Sequence, residues 1–155
     1  MTLFLVDTSF LVAFLQERDE FHPWAVATLK SCEGRLLTCE AVLAETCHML
    51  RERLDARRSL LAAVAAGSLE IPFVLAEEAG NIQKLMHRYR NIPMSLADAC
   101  LVRMAEVHAQ SVVLTLDADF RIYRKADRQV IPTLMPFAFD LDAAWTASGV
   151  VLATD

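Results

Sequence analysis

Five carboxylates stand where an apolar chain has least reason to keep them. Asp7 closes the apolar run LFLV, Glu45 lies in a helical stretch among Val42, Leu43, Ala44, Cys47 and Met49, Asp98 falls in the first turn of another helix, and Asp117 and Asp119 follow VVLTL. Burying an ionised carboxylate without compensation is expensive. Acids gathered in one crevice repel one another unless they are protonated or matched by cations. Mg²⁺ or Mn²⁺, which prefer hard oxygen ligands, meet that need better than a cysteine-rich zinc site. There, one ion can activate water and a second can stabilise the leaving oxygen of a phosphodiester, with no protein nucleophile.

Each acid also has a structural reading. Asp7 can cap the helix that follows it, but Thr8 and Ser9 are themselves competent caps, which leaves the carboxylate available. Those two hydroxyls can in turn orient a metal-bound water or touch a phosphate. Glu45 borders an apolar stripe and can reach solvent or an arginine. Ser95-Leu96-Ala97-Asp98 has capping-box spacing, although Glu or Gln is the usual partner. Asp98 nevertheless shares a helical face with Leu101, Val102 and Ala105, which directs it toward the sheet. Capping and ligation then compete for its lone pairs. Asp117, nearer the strand end, is the stronger central candidate. Asp119 can serve a second ion, orient water or cap a short helix, with Phe120 anchoring the turn. Glu40 and Glu52 read as surface or capping groups.

The elements that must position these acids alternate. LFLV at 3 to 6 is an unbroken apolar run, as expected of a strand covered on both faces. DTSFLVAFLQERDE turns into a helix through Phe10, Leu11, Phe14 and Leu15, and His22 to Ser31 forms the next, with Pro23 in its first turn. Gly34 breaks the pattern before a second strand at 36 to 38. Glu40 to Leu54 reads as one helix on the repeat Leu43, Cys47, Leu50 and Leu54, bending near Asp55 into a helix that runs to Ala66 and ends at Gly67. Leu69 to Ile71 suggests an edge strand before Pro72. Helices follow at Leu75 to Tyr89 and at Ser95 to Ala109, the second amphipathic. VVLT at 112 to 115 has strand character, and the segment 128 to 132, which ends QVIP, offers a last strand. Beyond it, DLDAAW can start a helix and GVVLATD can be a strand or a tail.

This order predicts a doubly wound α/β domain with helices on both faces of a mainly parallel sheet. Ligands of such sheets gather at the carboxyl ends of the strands, where strand order reverses. Asp7 and Asp117 both follow strands immediately.

Bulk properties narrow the classes further. At 155 residues, 55% hydrophobic and mean hydropathy +0.33, the chain fits a single domain over 1–155 with a large core. No repeat, low-complexity segment or linker divides it. The net charge of −5 argues against a broad basic surface gripping nucleic acid. It leaves room for a nucleic-acid substrate whose phosphates meet a few arginines while metals neutralise the acids. Arg51, Arg53, Arg57 and Arg58 form one cluster, and Arg121, Arg124 and Arg128 another. Either could line a phosphate path, with a solvated helix surface as the alternative for the first. Cys32, Cys39, Cys47 and Cys100 form no CxxC pair and no secretory leader precedes Met1, which fits a reduced cytoplasm. The apolar runs are too short and interrupted to span a bilayer. His22, His48, His87 and His108 lack zinc-site spacing and read as structural or surface residues.

Taken together, LVDTSFLVAF at 5 to 14, LAET at 43 to 46, SLADACLV at 95 to 102 and LTLDADF at 114 to 120 resemble PIN-domain proteins, especially the ribonuclease toxins of bacterial VapBC toxin–antitoxin pairs. The ordered combination is specific, whereas DTS or LADA alone is weak. The resemblance covers roughly residues 3 to 132 and leaves 133 to 155 as an extension that can complete the fold or form an interface. It implies a three-layer α/β/α fold with Asp7, Glu45, Asp98 and Asp117 as the acidic centre, Asp119 as auxiliary acid, and Thr8 and Thr115 as polar supports. It further implies Mg²⁺- or Mn²⁺-dependent endoribonuclease activity on RNA, a homodimer, and a cognate antitoxin whose tail blocks the groove. The alternatives are a PIN-like nuclease acting on a flap or single-stranded DNA, and a catalytically inactive PIN-like interaction module, whose cheapest sign would be loss of a central acid. Phosphotransfer in another α/β fold would call for an Asp nucleophile in a DxD arrangement, and here Thr8 and Ser9 follow Asp7. Which RNA is cut depends on groove shape and a few contacts, which side-chain counts do not reveal.

Overall fold

In chain order the elements are β1 (Thr2–Val6), α1 (Thr8–Leu15), α2 (His22–Ser31), β2 (Gly34–Leu37), α3 (Glu40–Met49), α4 (Leu54–Ala65), α5 (Leu75–Arg88), α6 (Leu96–Val107), β3 (Ser111–Leu114), β4 (Arg124–Lys125), β5 (Gln129–Val130), β6 (Thr133–Met135) and β7 (Val151–Ala153). Short 3-10 turns occupy Ala118–Arg121 and Ala126–Arg128. This computed structural model describes residues 1–136 and 151–153; DLDAAW lies outside them.

The sheet runs β2-β1-β3-β6-β7, parallel through the first four strands and antiparallel at β7. Successive side chains of a strand point to opposite faces. Phe4, Leu5 and Val6 are all buried, so β1 is covered on both faces, and the helices complete an α/β/α layering with a shared apolar core. The chain leaves β1 for β2 on one side and later returns to β3 on the other. The reversal of strand order therefore falls between β1 and β3. Val6 pairs with Leu114, and the Asp7 amide donates to the Leu114 carbonyl at 3.1 Å, so both chains quit the sheet at the same level.

Several expected boundaries move. Gly34 does not break the pattern; it is the first residue of β2, opposite Thr2. A Cβ built there would lie 2.1 Å from the Thr2 carbonyl oxygen, so glycine is what lets the strands approach. Gly34→Ala is expected to displace the start of β2 and cost about 1–3 kcal/mol, read as a lower midpoint in urea or thermal unfolding. Gly67, at φ +76, ends α4 as expected.

The helix expected over Glu40 to Leu54 stops at Met49. Leu50 is fully buried and leaves the helical conformation, the Arg53 amide donates to its carbonyl at 2.8 Å, and Leu54 restarts a helix while 61% exposed. The break thus falls at 50–53, earlier than the bend expected near Asp55. Leu69 to Ile71 yields only an isolated parallel bridge between Leu37 and Glu70; Pro72, which has no amide hydrogen, prevents the ladder from continuing. Gln129 and Val130 pair antiparallel with β4 in a separate two-stranded ribbon, and the strand that joins the main sheet is Thr133–Met135, beyond the expected limit. Part of GVVLATD is strand β7.

Helix α6 is more than amphipathic: Ala97 through Val102, Met104 and Ala105 are all buried, and it packs on β1, β3, α3 and α5. His22 hydrogen-bonds the Ala13 carbonyl at 3.0 Å, a structural role. The four cysteines are free thiols. Among the described residues, no helix is long and apolar enough to cross a membrane.

Candidate metal centre

At the β1–β3 crevice Asp7 is 4% exposed. It is itself the N-cap of α1: its Oδ1 accepts the Thr8 amide at 2.7 Å. The expectation that Thr8 and Ser9 would cap in its place is corrected, because both hydroxyls face other acceptors. Ser9 Oγ donates to Asp7 Oδ2 at 3.2 Å and accepts the Leu116 amide at 2.9 Å. Thr115, which immediately follows β3, donates to Asp7 Oδ2 at 2.6 Å and accepts the Asp117 amide at 2.9 Å. The parallel register that places Thr115 beside Asp7 thus ties the two strand ends together by side chains.

Asp98 is 8% exposed and forms the capping box in full. Its amide donates to Ser95 Oγ at 3.0 Å, and its Oδ2 accepts the Ser95 amide at 3.1 Å. The same Oδ2 accepts the Tyr123 hydroxyl at 3.1 Å. The Ser95 amide and the Tyr123 hydroxyl therefore both address Oδ2. Asp117 caps the 3-10 turn, its Oδ1 accepting the Asp119 amide at 2.9 Å. Thr8 Oγ1 donates to Glu45 Oε2 at 3.1 Å, so Glu45, half-buried on α3, is linked to Asp7 through Thr8, whose amide Asp7 accepts.

The electrostatics show that these acids sense one another. Burial pushes the Asp7 carboxyl up from 3.8 to about 7; the Thr115 hydrogen bond opposes this, while the charges of Asp98 and Asp117 add to it. Burial also raises Asp98, against the Ser95 amide and with the charge of Asp117. Asp119 is raised by burial and by Asp117. Tyr123 is pushed up by burial and then by the charge of Asp98, which keeps its hydroxyl a donor. Among the described residues no lysine or arginine forms an ion pair with Asp7, Glu45, Asp98, Asp117 or Asp119.

Among the described residues the site is therefore a set of hard oxygen donors without an ion-paired cation, which fits a divalent cation by its chemistry. Among the described residues no three His, Cys, Asp or Glu side chains are already disposed to hold an ion. The bonded oxygens face hydroxyls and amides, so the chain provides the grouping without a finished coordination sphere.

Of the residues expected from sequence, Asp7, Asp98 and Asp117 influence one another through charge, Asp119 feels Asp117, Thr115 bonds Asp7, and Thr8 bonds Glu45. Tyr123 was not foreseen. It is a fully buried phenol, packed edge-on against Phe120 and Tyr89 at centroid distances of 5.4 and 5.1 Å. Its only sequence sign is a tyrosine between Ile122 and Arg124, which resembles any surface turn. The first arginine cluster is largely surface: Arg53 pairs with Asp55, and Arg51 approaches Glu52 at 3.9 Å.

An α/β/α domain with aspartates at the carboxyl ends of two adjacent parallel strands defines a class of acid-centred sites at a topological switch point. Residues 4–126 match the family described as PIN domain; the chain belongs to that family. It is 26% identical over 115 residues to Ribonuclease VapC26 of Mycobacterium tuberculosis (strain ATCC 25618 / H37Rv), covering 73% of this chain and 85% of the relative. Its fold is similar to the crystal structure of Mycobacterium tuberculosis VapC20, titled a Sarcin-Ricin loop cleaving toxin, with TM-score 0.69, 23% identity, and coverage of 75% of this chain and 91% of the other.

Proposed function

We propose that this protein is a Mg²⁺- or Mn²⁺-dependent endoribonuclease that hydrolyses RNA phosphodiester bonds, and that it acts as the toxin of a toxin–antitoxin pair. The observation that carries the reading is the mutual electrostatic influence of Asp7, Asp98 and Asp117 at the β1–β3 crevice, with no ion-paired basic partner among the described residues. Family membership supports nuclease chemistry, and the names of the two relatives support RNA as substrate and the toxin role.

Asp7, Asp98 and Asp117 would hold the cation, with Glu45 and Asp119 at its margin. A bound cation supplies an activated water and relieves negative charge on the leaving oxygen. Thr115 and Ser9 fix the rotamer of Asp7, and Tyr123 with Ser95 fixes that of Asp98. Asp119 is half-buried, with a carboxyl that holds a proton more readily than usual, which suits it to accept one from water. A homodimer, a cognate antitoxin and a cytoplasmic location belong to the same reading and come from the family resemblance.

Incubation of the purified chain with RNA and with DNA of matching sequence, in Mg²⁺, in Mn²⁺ and in chelator, tests the proposal. RNA cleavage that requires either cation is expected. Cleavage of DNA alone, or RNA cleavage undiminished in chelator, would overturn it.

A further inference from the structure

The cations that the chain withholds from its acidic centre collect elsewhere. A cavity of about 760 Å³ lies between α5, the end of α6 and the β4–β5 ribbon, and Lys84, Arg88, Arg124, Lys125 and Arg128 line it. Among the described residues the carboxylate in its wall is Glu106, which Arg103 engages at 3.0 Å. Among the described residues Lys84, Arg88 and Arg128 pair with no carboxylate. Five cations sharing a groove on a chain of net charge −5 repel one another until a polyanion occupies it.

We infer that this groove is a track for the phosphodiester backbone of the RNA substrate, holding nucleotides that flank the cleaved bond. The inference rests on the endoribonuclease reading for the identity of its ligand.

Three observations favour an extended phosphate chain. A second, shallower cavity of about 600 Å³ shares Lys84 and Arg88 and adds His87, so the basic surface continues along α5 beyond the reach of one phosphate. The ribbon side is held in place: the Arg124 guanidinium donates to the carbonyls of Arg121, Ile122 and Tyr123, and Lys125 Nζ donates to the Ala109 carbonyl at 3.1 Å. Those acceptors are neutral, so the positive charges remain. Arg128, exposed in the same wall, has φ +59, where glycine would be easier. A side chain kept at that cost, and without a protein partner among the described residues, points to use outside the fold.

The groove is linked to the acids through the core. Tyr89 lines it, accepts the Arg124 amide at 2.7 Å, and packs on Tyr123, whose hydroxyl reaches Asp98. One aromatic pair thus lies between the basic track and the acidic centre.

Binding of a labelled single-stranded oligoribonucleotide to the full chain in chelator, where it is not cut, reads the groove apart from catalysis. The combined variant Lys84→Gln, Arg88→Gln, Arg128→Gln is expected to bind at least about tenfold more weakly, with the slope of log affinity against log salt shallower by about 2. The equally charged control Arg51→Gln, Arg53→Gln, Arg58→Gln, on the other arginine cluster, should bind as the parent does. Arg128→Gly, which relieves the backbone, should weaken binding without lowering the thermal midpoint. Equal loss in the control, or unchanged affinity and slope in the groove variants, would overturn the track. RNA held by the groove yet never cleaved in Mg²⁺ or Mn²⁺ would leave the track standing and remove the ribonuclease reading instead.

Discussion

Asp98→Asn should reduce RNA cleavage by roughly 10²–10³-fold or more while leaving the protein folded, with a thermal midpoint within a few degrees of the parent. The asparagine carbonyl can accept the Ser95 amide and the Tyr123 hydroxyl that Asp98 Oδ2 now accepts, so the start of α6 survives. What disappears is the charge and Oδ1, replaced by an amide NH₂ that cannot ligate a cation. Asp98→Ala should lose the same activity and also about 1 kcal/mol of helix capping. Initial rates on a fixed RNA, with thermal unfolding alongside, separate the two effects. Parental cleavage by a folded Asp98→Asn protein would remove Asp98 from the centre.

Asp7→Asn should be inactive too, yet more stable than the parent at neutral pH in metal-free buffer. Unfolded, the carboxyl titrates near 3.8; in the fold it titrates near 7. Between those values the native state carries a proton that the unfolded chain lacks, so stability falls as pH rises through the window and the loss is complete above about pH 7. Asp98 and Asp119, both raised, push the same way. The asparagine variant escapes the Asp7 share. A gain of about 1–3 kcal/mol is expected, less than the full shift implies because the amide replaces the oxygen that Thr115 and Ser9 now address. The gain should vanish toward about pH 4. Mn²⁺ should raise the thermal midpoint of the parent at neutral pH and leave that of Asp7→Asn nearly unmoved. A parent that grows more stable between about pH 5 and pH 8 in chelator, or a variant less stable than it there, would contradict the assignment.

Legibility of the sequence divides along physical lines. Strands buried on both faces announce themselves, as LFLV does, because nothing but apolar residues can fill them. The second helix, at His22–Ser31, matches its expected span, since Pro23 marks the start. The end of α3 left no trace: Arg51, Glu52 and Arg53 are all good helix formers, and only the burial of Leu50 against distant residues turns the chain there. The last parallel strand was missed for a similar reason. Gln129 and Val130 carry the local strand signal but pair in the ribbon, while the three residues that join the sheet follow Pro132, whose carbonyl accepts the Val113 amide at 2.8 Å. The acids were visible because charge beside apolar runs is conspicuous. Their supports Tyr123 and Ser9 are ordinary in type, and only the tertiary fold shows what they touch.

Asp7 and Asp117 are N-caps, and Asp98 sits in the first turn of α6. Amide hydrogens at helix starts therefore already stabilise the carboxylates before any ion arrives. The acids are thus held in place by the fold itself, independently of any ion. On the proposed metal-dependent reading, a chelator should strip the protein and Mn²⁺ recharge it repeatedly without passage through the unfolded chain, unlike small zinc modules, which collapse when their ion is withdrawn.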